Sequence, residues 1–333
     1  MQRRKFIALC GGAAVTWPLA ARAQQPAKLP RIVLLSPGRS EPPDSTLNLL
    51  NGFEQGMQGL GYKEGQNLAI QRQFAQWSPD RLRELAVEAA RLNPDVIVAF
   101  STPPARAAKQ ATNTIPIVGI AMADPVADEL VASLARPGGN VTGTTFFGPE
   151  LVGKRLQLLR QVVPGLSRVA ALWHPRAYSE RAMADLLQEL EVAARTEGLK
   201  LQLVPASTPD DIAGAFAAMT KERPDGVIVL PSPMLFSAYS DIAGTAARDR
   251  LPAIGAAREF ADVGGLMSYG VNLSDLARQT AIFVDKILKG AKPAELPVEQ
   301  PTKFELVINL KAAKQLNLTI AREFLLLADD VVE

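Results

Sequence analysis

The sequence predicts an α/β protein of two doubly wound lobes, each with a parallel sheet that is covered by helices on both faces. Three observations support this fold class. Short, wholly apolar runs alternate with amphipathic helical patterns, which is typical of parallel strands buried on both faces. The pattern recurs in the second half at a nearly constant offset. The chain of 333 residues is long enough for two cores, since one domain core rarely exceeds about 250 residues.

The first 23 residues have the pattern of an export signal. An Arg-Arg-Lys run at residues 3–5 precedes a modestly apolar region, and Ala-Arg-Ala at residues 21–23 matches a small-x-small cleavage site. The paired arginines favour twin-arginine export over the general secretory route, and a cytoplasmic protein with a basic first helix is the alternative. We expect cleavage after Ala23, a mature protein in the periplasm, and a linker over residues 24–30.

The rest of the chain has the composition of a globular protein. Four of the 36 basic residues lie in the first 23, which hold no acid, so 32 basic residues stand against 34 acidic ones in the remainder. Basic stripes with interleaved aromatic residues are missing, so we expect no nucleic-acid partner. No apolar run reaches the roughly 20 residues of a membrane span. Cys10 is the only cysteine and lies in the export signal, so the mature chain is expected to lack disulfides and cysteine metal sites.

Apolar runs and helical stripes predict the elements in order. The predicted strands are residues 32–35, 68–74, 96–100, 115–121, 141–146, 169–173, 201–204, 227–230, 253–256 and 266–269. Ser78 and Pro79 mark the start of one helix between them, and Pro103 marks the start of the next. Further apolar stripes begin at Met183, Ile212 and Ala277, and another helix is expected over residues 126–135.

Three short motifs occur twice in the same order. RIVLLSP at 31–37 resembles RVAALWHP at 168–175, Pro-Asp at 94–95 returns at 224–225, and IPIVGIA at 115–121 resembles LPAIGAA at 251–257. The offsets are about 137, 130 and 136 residues. One such coincidence between apolar strings means little, but three in order indicate two lobes of one design.

The candidate site consists of polar residues that follow the predicted strands. Ligands of open parallel sheets bind at the carboxyl ends of the strands, where helix N-termini offer N–H groups that favour anions. We expect the two carboxyl edges to face each other across a cleft that closes on a small solute. The candidate ligand-binding residues are Ser36, Ser101, Thr102, Asp124, Thr144, His174, Ser232 and Tyr269.

Several of these residues also have a structural interpretation. Ser101 and Thr102 can simply cap the helix that follows them, and Asp124 can cap the helix expected over residues 126–135. His174 is the only histidine and can be a packed or hydrogen-bonded residue at a strand end. These alternatives stay open on the sequence alone.

The sequence gives little support for catalysis. One histidine and no cysteine in the mature chain exclude most nucleophile–base pairs, and no His/Cys metal spacing occurs. The motifs of nucleophile elbows, phosphate-binding loops and dinucleotide-binding turns are missing. We therefore expect no catalytic residue, no metal and no cofactor, with an exported enzyme on the same scaffold as the alternative.

Four longer blocks of sequence point to a family. They are GLGYKEGQNLAI at 59–70, KQATNTIPIVGIAMADPVADELVASLARPGGNVTG at 109–143, GGLMSYG at 264–270 and ILKGAKPAELPVEQPTKFELVINLKAAKQLNLTI at 287–320. In these blocks, which extend over essentially the whole mature chain, the protein resembles the ABC-transporter substrate-binding proteins of the tryptophan/tyrosine-binding type. The resemblance implies a type I periplasmic binding protein fold with flavodoxin- or Rossmann-like lobes.

The resemblance also implies a function. The expected protein is a periplasmic receptor that delivers a small-molecule ligand to a membrane permease with a separate ATPase subunit, and acts as a monomer without spanning the membrane. Some members bind aromatic amino acids, so a carboxylate-bearing solute such as an amino acid or aromatic acid is the expected ligand. His174-Pro175 departs from the Asn-Pro expected after that strand. A periplasmic ligand-sensing partner of a signalling receptor is a further alternative.

The same resemblance divides the chain. Residues 31–147 plus 272–333 are expected to form the N-terminal lobe, and residues 148–271 the C-terminal lobe. Hinge crossings are expected near 147–149, near 270–272 and near 301–305.

Overall fold

The structure is a computed structural model that describes residues 29–40, 46–146 and 151–333. The predicted export signal with Cys10 and the cleavage site after Ala23, most of the linker, and residues 147–149 of the first predicted crossing lie outside these residues.

The first sheet has five parallel strands. They are β1 (Arg31–Ser36), β2 (Ala69–Phe74), β3 (Val96–Phe100), β4 (Ile117–Met122) and β5 (Val141–Thr145). Their order is β2-β1-β3-β4-β5, and β3, β4 and β5 are buried along their whole length. This burial on both faces explains why the strands are apolar runs rather than alternations. The connecting helices are α1 (Thr46–Gly59), α2 (Pro79–Arg91) and α3 (Thr102–Ala111).

The second sheet has seven strands. They are β6 (Arg168–Trp173), β7 (Lys200–Pro205), β8 (Gly226–Val229), β9 (Ala253–Gly255), β10 (Met267–Gly270), β11 (Glu305–Asn309) and β12 (Asp330–Val332). Their order is β7-β6-β8-β9-β10-β11-β12, and β11 runs antiparallel to β10. The helices of this part are α4 (Val152–Val162), α5 (Glu180–Thr196), α6 (Ile212–Lys221), α7 (Pro233–Ser237), α8 (Tyr239–Arg248), α9 (Glu259–Asp262), α10 (Leu273–Leu288), α11 (Leu310–Gln315) and α12 (Arg322–Leu325).

The predicted internal repeat corresponds to equivalent strands of the two sheets. β1, β3 and β4 hold the same positions in the first sheet as β6, β8 and β9 in the second. The repeated Pro-Asp motif also has the same role twice. Asp95 accepts a hydrogen bond from the N–H of Arg31 at 2.7 Å, and Asp225 accepts one from the N–H of Arg168 at 2.8 Å. Both aspartates join neighbouring strands at the amino edge of their sheet, away from the candidate site.

All ten predicted strands are present, whereas the helix predicted over residues 126–135 is wrong. The chain there forms turns. Asp124 accepts hydrogen bonds from the N–H groups of Val126 and Ala127, as a helix cap does. Glu129 then adopts the left-handed conformation with φ 55°, which ends the helical path after one turn.

Three segments connect the lobes. The first lies between Phe146 and Leu151, and the second lies between β10 and α10. Helix α10 packs on α1 and on strands β4 and β5, so the chain has returned to the first lobe at this point. The chain then runs beside β5, where Thr142 Oγ1 donates to the carbonyl of Leu296 at 2.7 Å. It crosses again before β11, which joins the second sheet together with β12. The crossing that was predicted near 301–305 lies directly before β11. The strand pairing puts residues 305–332 in the second sheet, so it differs from the prediction that counted these residues with the N-terminal lobe.

Within the described ranges, no helix is long and apolar enough to span a bilayer.

A candidate ligand site between the lobes

The carboxyl ends of the two sheets face each other across a narrow pocket, which we call the interlobe pocket. Its first-lobe residues lie at or just after the ends of strands β3, β4 and β5, and its second-lobe residues follow β6 and β8. They are Phe100, Ser101, Thr102, Pro103, Ala121 and Phe146 from the first lobe, Tyr178, Ser232, Pro233 and Phe236 from the second, and Leu49 and Leu273 from α1 and α10. This is the arrangement that the repeated strand ends predict.

The interlobe pocket is apolar and narrow. None of the described residues that line it carries a charge, and three of them are phenylalanines. The space left for the centre of a water molecule is about 20 Å³, enough for one water. A ligand of amino-acid size therefore enters this pocket only when the lobes or the lining side chains move.

Ser101 is the most unusual residue of the pocket. It is 6% exposed and stands at the N-terminus of α3, with φ 88° and ψ 176°. That region suits glycine and strains a residue with a side chain. The Ser101 hydroxyl does not cap the helix and has no hydrogen-bond partner among the residues that the structure describes. The capping interpretation of Ser101 is therefore wrong, and a strained, buried, unsatisfied hydroxyl points to a role beyond folding.

Thr102 and Ser232 line the same pocket but have protein partners. Thr102 Oγ1 accepts a hydrogen bond from the N–H of Ala123 at 2.9 Å, and Ser232 Oγ accepts one from the N–H of Leu235 at 3.1 Å. Ser232 is therefore the N-cap of α7. Each hydroxyl hydrogen is still able to donate to a ligand.

The N-terminus of α3 is a weaker anion site than the sequence indicates. Pro103 and Pro104 occupy its first turn, and proline has no N–H to donate. Thr102 is left as the only donor among its first three residues. A carboxylate bound in this cleft therefore needs a further partner.

Five predicted site residues lie outside the interlobe pocket, and three of these, Ser36, Thr144 and Tyr269, contact other parts of the protein. Ser36 Oγ accepts a hydrogen bond from the N–H of Gly38 at 3.2 Å and lines a separate small void. Thr144 Oγ1 lies 2.9 Å from Thr280 Oγ1 on α10. The Tyr269 ring packs 6.3 Å from the ring of Phe304.

Two wider chambers flank the interlobe pocket. The basic chamber, about 500 Å³, is lined by Arg83 and Arg106 of the first lobe and by His174, Arg176 and Glu180 of the second, among others. The acidic chamber, about 590 Å³, is lined by Asp124 of the first lobe and by Asp185 and Glu189 of the second, among others. The structure thus separates the predicted residues Asp124 and His174 into different chambers, both next to the interlobe pocket.

Tyr178 lines the interlobe pocket and both chambers. Its hydroxyl donates a hydrogen bond to the carbonyl of Pro231. Complete burial raises the pKa of Tyr178 far above its usual range, so the phenol stays neutral. The sequence pattern did not single out Tyr178, because it lies in the loop after β6 rather than directly at the strand end.

His174 is held in its neutral form. Burial and the nearby charge of Arg176 lower the pKa of His174 to about 4. Its Nδ1 atom is buried and has no hydrogen-bond partner in the protein. Among the residues that the structure describes, no group of three or more His, Cys, Asp or Glu side chains is arranged to hold a metal ion.

A hydrogen bond joins the lobes directly. Asp128 of the first lobe accepts a hydrogen bond from the N–H of Ser179 at 3.0 Å, and Ser179 is the N-cap of α5 in the second lobe. Asp128 is 7% exposed, and its second carboxylate oxygen has no partner in the protein. Sequence reasoning missed this contact because its partners are 51 residues apart, and because Asp128 lies in a turn that was predicted as a helix.

A family model described as "ABC transporter substrate binding protein" matches residues 42–332. A curated relative, the "Tyrosine-binding protein" of Clostridioides difficile strain R20291, is 26% identical over 267 residues, which cover 80% of this chain and 76% of the relative.

Solved structures agree with the family match. A conserved domain protein from Vibrio cholerae is 30% identical with a TM-score of 0.83, and the match covers 91% of this chain and all of that chain. An ABC domain from Streptococcus pneumonia in complex with L-Trp is 27% identical with a TM-score of 0.82, at the same coverage. The ligand-free, open structure of CD0873, a substrate binding protein from Clostridium difficile, is 26% identical with a TM-score of 0.64, covering 91% of this chain and 99% of that chain.

These structures confirm the type I periplasmic binding protein fold of two parallel-sheet lobes, and the matched sequence extends over most of the chain. The chain therefore belongs to the ABC transporter substrate-binding protein family.

Proposed function

We propose that the protein is the exported solute-binding receptor of an ABC importer and that it captures an aromatic amino acid or a related aromatic acid between its lobes. The observation that carries this proposal is Ser101, a strained residue whose buried hydroxyl lacks a partner in an apolar pocket between the lobes. Strained backbone and unsatisfied buried polar groups persist where a function requires them.

The lining of the interlobe pocket supports an aromatic ligand. Phe100, Phe146 and Phe236 face the space from both lobes, and aromatic rings pack favourably in offset or edge-to-face contact with a bound ring. The absence of charged groups from the lining disfavours a strongly charged side chain there. A relative that is 26% identical is a tyrosine-binding protein, and one that is 27% identical was solved with L-Trp.

Comparison with the two bacterial relatives supports lobe closure. They have nearly the same identity and coverage, yet the TM-score is 0.82 with the L-Trp complex and 0.64 with the open, ligand-free chain. The lobe arrangement described here therefore resembles the complex more than the open form. In the proposed cycle, the solute enters the open cleft, and closure brings Asp128 and Ser179 together.

The partners and location follow from the family. The proposed receptor is a monomer that delivers its solute to a membrane permease, which a separate ATPase subunit energises. It is proposed to act in the periplasm after removal of the first 23 residues. The solute-binding relatives favour a receptor over an exported enzyme or a sensor partner.

Differential scanning fluorimetry with L-Trp, L-Tyr, L-Phe and indole-3-propionate tests the ligand class. A ligand that binds only the folded state stabilises it by about 2.7 kcal/mol at a hundredfold excess over Kd. At least one of these compounds is expected to raise the melting temperature, and mass spectrometry is expected to recover it unchanged. No response to any of them would reject the ligand class, and turnover would favour the enzyme alternative.

A further inference from the structure

Two arginines from opposite lobes line the same chamber, and neither forms an ion pair with a residue that the structure describes. Arg106 of α3 in the first lobe is half-buried, and Arg176 in the loop after β6 of the second lobe is exposed; both line the basic chamber. Neither has a carboxylate of the described residues within 4.0 Å, whereas Arg83 in the same chamber is paired with Asp80.

The other ionisable groups of the chamber do not cancel this charge. Glu180 is the only carboxylate among the described residues that line the chamber, and His174 is neutral at physiological pH because burial and the charge of Arg176 lower its pKa to about 4. Because Arg83 is paired with Asp80, the charge balance rests on Arg106 and Arg176 against Glu180, which leaves an excess of positive charge among the described residues of a cavity of about 500 Å³.

The basic chamber adjoins the interlobe pocket. Pro103, Tyr178 and Pro233 line both spaces. A ligand whose ring lies against the phenylalanines of the interlobe pocket reaches the basic chamber when these residues move apart, as the narrow pocket requires for any ligand of this size. The double proline at the start of α3 removes backbone donors that would otherwise hold an anion inside the pocket.

We propose that the basic chamber is the carboxylate subsite of the cleft, with Arg106 as the main specificity-determining residue and Arg176 as its counterpart on the opposite lobe. This inference rests on the proposed function, because it concerns the same ligand. The guanidinium group presents a planar fork of donors that matches a carboxylate in bidentate geometry.

The subsite also links ligand charge to closure. Arg106 and Arg176 belong to different lobes, so closing the cleft brings two like charges into one chamber. A carboxylate between them neutralises this repulsion and binds the closed arrangement better than the open one. Differential affinity of this kind is what shifts a population toward the closed state.

Calorimetric titration of three probes into the purified protein and its Arg106→Met variant tests the inference. L-Trp carries both charges, indole-3-propionate lacks the ammonium group, and L-tryptophanamide lacks the carboxylate. A hydrogen bond to a charged group contributes about 1.5–3 kcal/mol, and 1.4 kcal/mol is tenfold in Kd. We expect Arg106→Met to raise the Kd of the two carboxylates about 10- to 100-fold and that of the amide less than about threefold.

Two further variants make the result unambiguous. Arg91→Met is the matched control, because Arg91 is an exposed arginine at the end of α2 that lines neither the interlobe pocket nor the basic chamber. It is expected to change every Kd less than about threefold. Arg176→Met removes an exposed side chain that the fold does not need, and it is expected to weaken the two carboxylates at least threefold. Thermal melts without ligand verify that each variant is folded.

The alternative results separate the two proposals. If Arg106→Met and Arg176→Met weaken all three probes equally, or weaken none, the carboxylate subsite is wrong while the proposed receptor function stands. If the unaltered protein binds none of the three probes, the proposed ligand class is wrong, and the carboxylate subsite, which depends on it, is rejected as well.

Discussion

Replacement of Ser101 is predicted to change stability and ligand binding in opposite directions. Ser101→Ala removes a hydroxyl that is 6% exposed and has no protein partner. An unsatisfied buried polar group costs about 1–3 kcal/mol, so the ligand-free variant is expected to be more stable by about 1 kcal/mol. Ser101→Gly also relieves the backbone at φ 88°. That relief, about 1–3 kcal/mol, exceeds the 0.5–1 kcal/mol that glycine costs in chain entropy.

Affinity is predicted to fall in both variants. The lost hydrogen bond to the ligand is worth about 0.5–1.5 kcal/mol, which is a 2- to 12-fold increase in Kd. Urea unfolding without ligand measures the change in stability, and calorimetric titration with L-Trp measures the change in affinity. The loss in affinity together with the gain in stability is the signature of a residue kept for function.

Ser232→Ala is the matched control in the same pocket. Its hydroxyl caps α7 by accepting the N–H of Leu235, and loss of a helix cap costs about 1 kcal/mol. The two serines are thus expected to shift the free energy of unfolding in opposite directions. Equal destabilisation by both alanine variants, or an unchanged affinity in Ser101→Ala, would refute the role given to Ser101.

Three further predictions concern other parts of the molecule. Asp128→Ala removes the acceptor of the Ser179 N–H between the lobes and is expected to raise the Kd of L-Trp about tenfold in calorimetry. Asp128→Asn keeps an acceptor and is expected to raise the Kd less. An equal increase in Kd for both variants would contradict the role of this hydrogen bond. Gly143→Ala places a Cβ 2.0 Å from the carbonyl oxygen of Gly119 at φ 135°, so urea unfolding should show at least about 2 kcal/mol of destabilisation, against almost none for Gly139→Ala, whose Cβ meets no atom within 4 Å. The folded-state pKa of His174 is lowered to about 4, so as the pH falls below about 6.5 the unfolded chain takes up this proton before the folded protein does. This uptake lowers the free energy of unfolding by roughly 2 kcal/mol between pH 7 and pH 4.5. His174→Gln is expected to remove most of this pH dependence in urea unfolding.

The buried parallel strands were predictable because burial on both faces leaves a clear apolar run. Strands β11 and β12 were not predicted. β12 has three residues, of which none is buried, so it carries no periodicity. β11 begins at a glutamate and passes directly into α11, and its antiparallel pairing with β10 is a contact between distant segments. Local sequence holds no sign of either pairing.

The false helix over residues 126–135 shows the limit of capping signals. Asp124 does cap the turn that follows it, and the local residues are compatible with a helix. The left-handed conformation of Glu129 ends the turn, and tertiary packing rather than local propensity decides such a conformation.

The candidate site was predicted by position more than by side-chain direction. Ser101 and Ser232 line the interlobe pocket, whereas Ser36 and Thr144 stand at equivalent strand ends and bond elsewhere. Successive strand residues point to opposite faces, and one sequence does not fix which face a terminal residue takes. Tyr178 lies in a loop, where no period identifies it.

Small-angle X-ray scattering with and without L-Trp tests the central claim, a cleft that closes on its solute, most directly. A compact chain of this length has a radius of gyration of about 20 Å. The account predicts a larger radius without ligand and a contraction toward the closed arrangement when L-Trp saturates the protein. An unchanged radius at a concentration of L-Trp that raises the melting temperature would contradict closure.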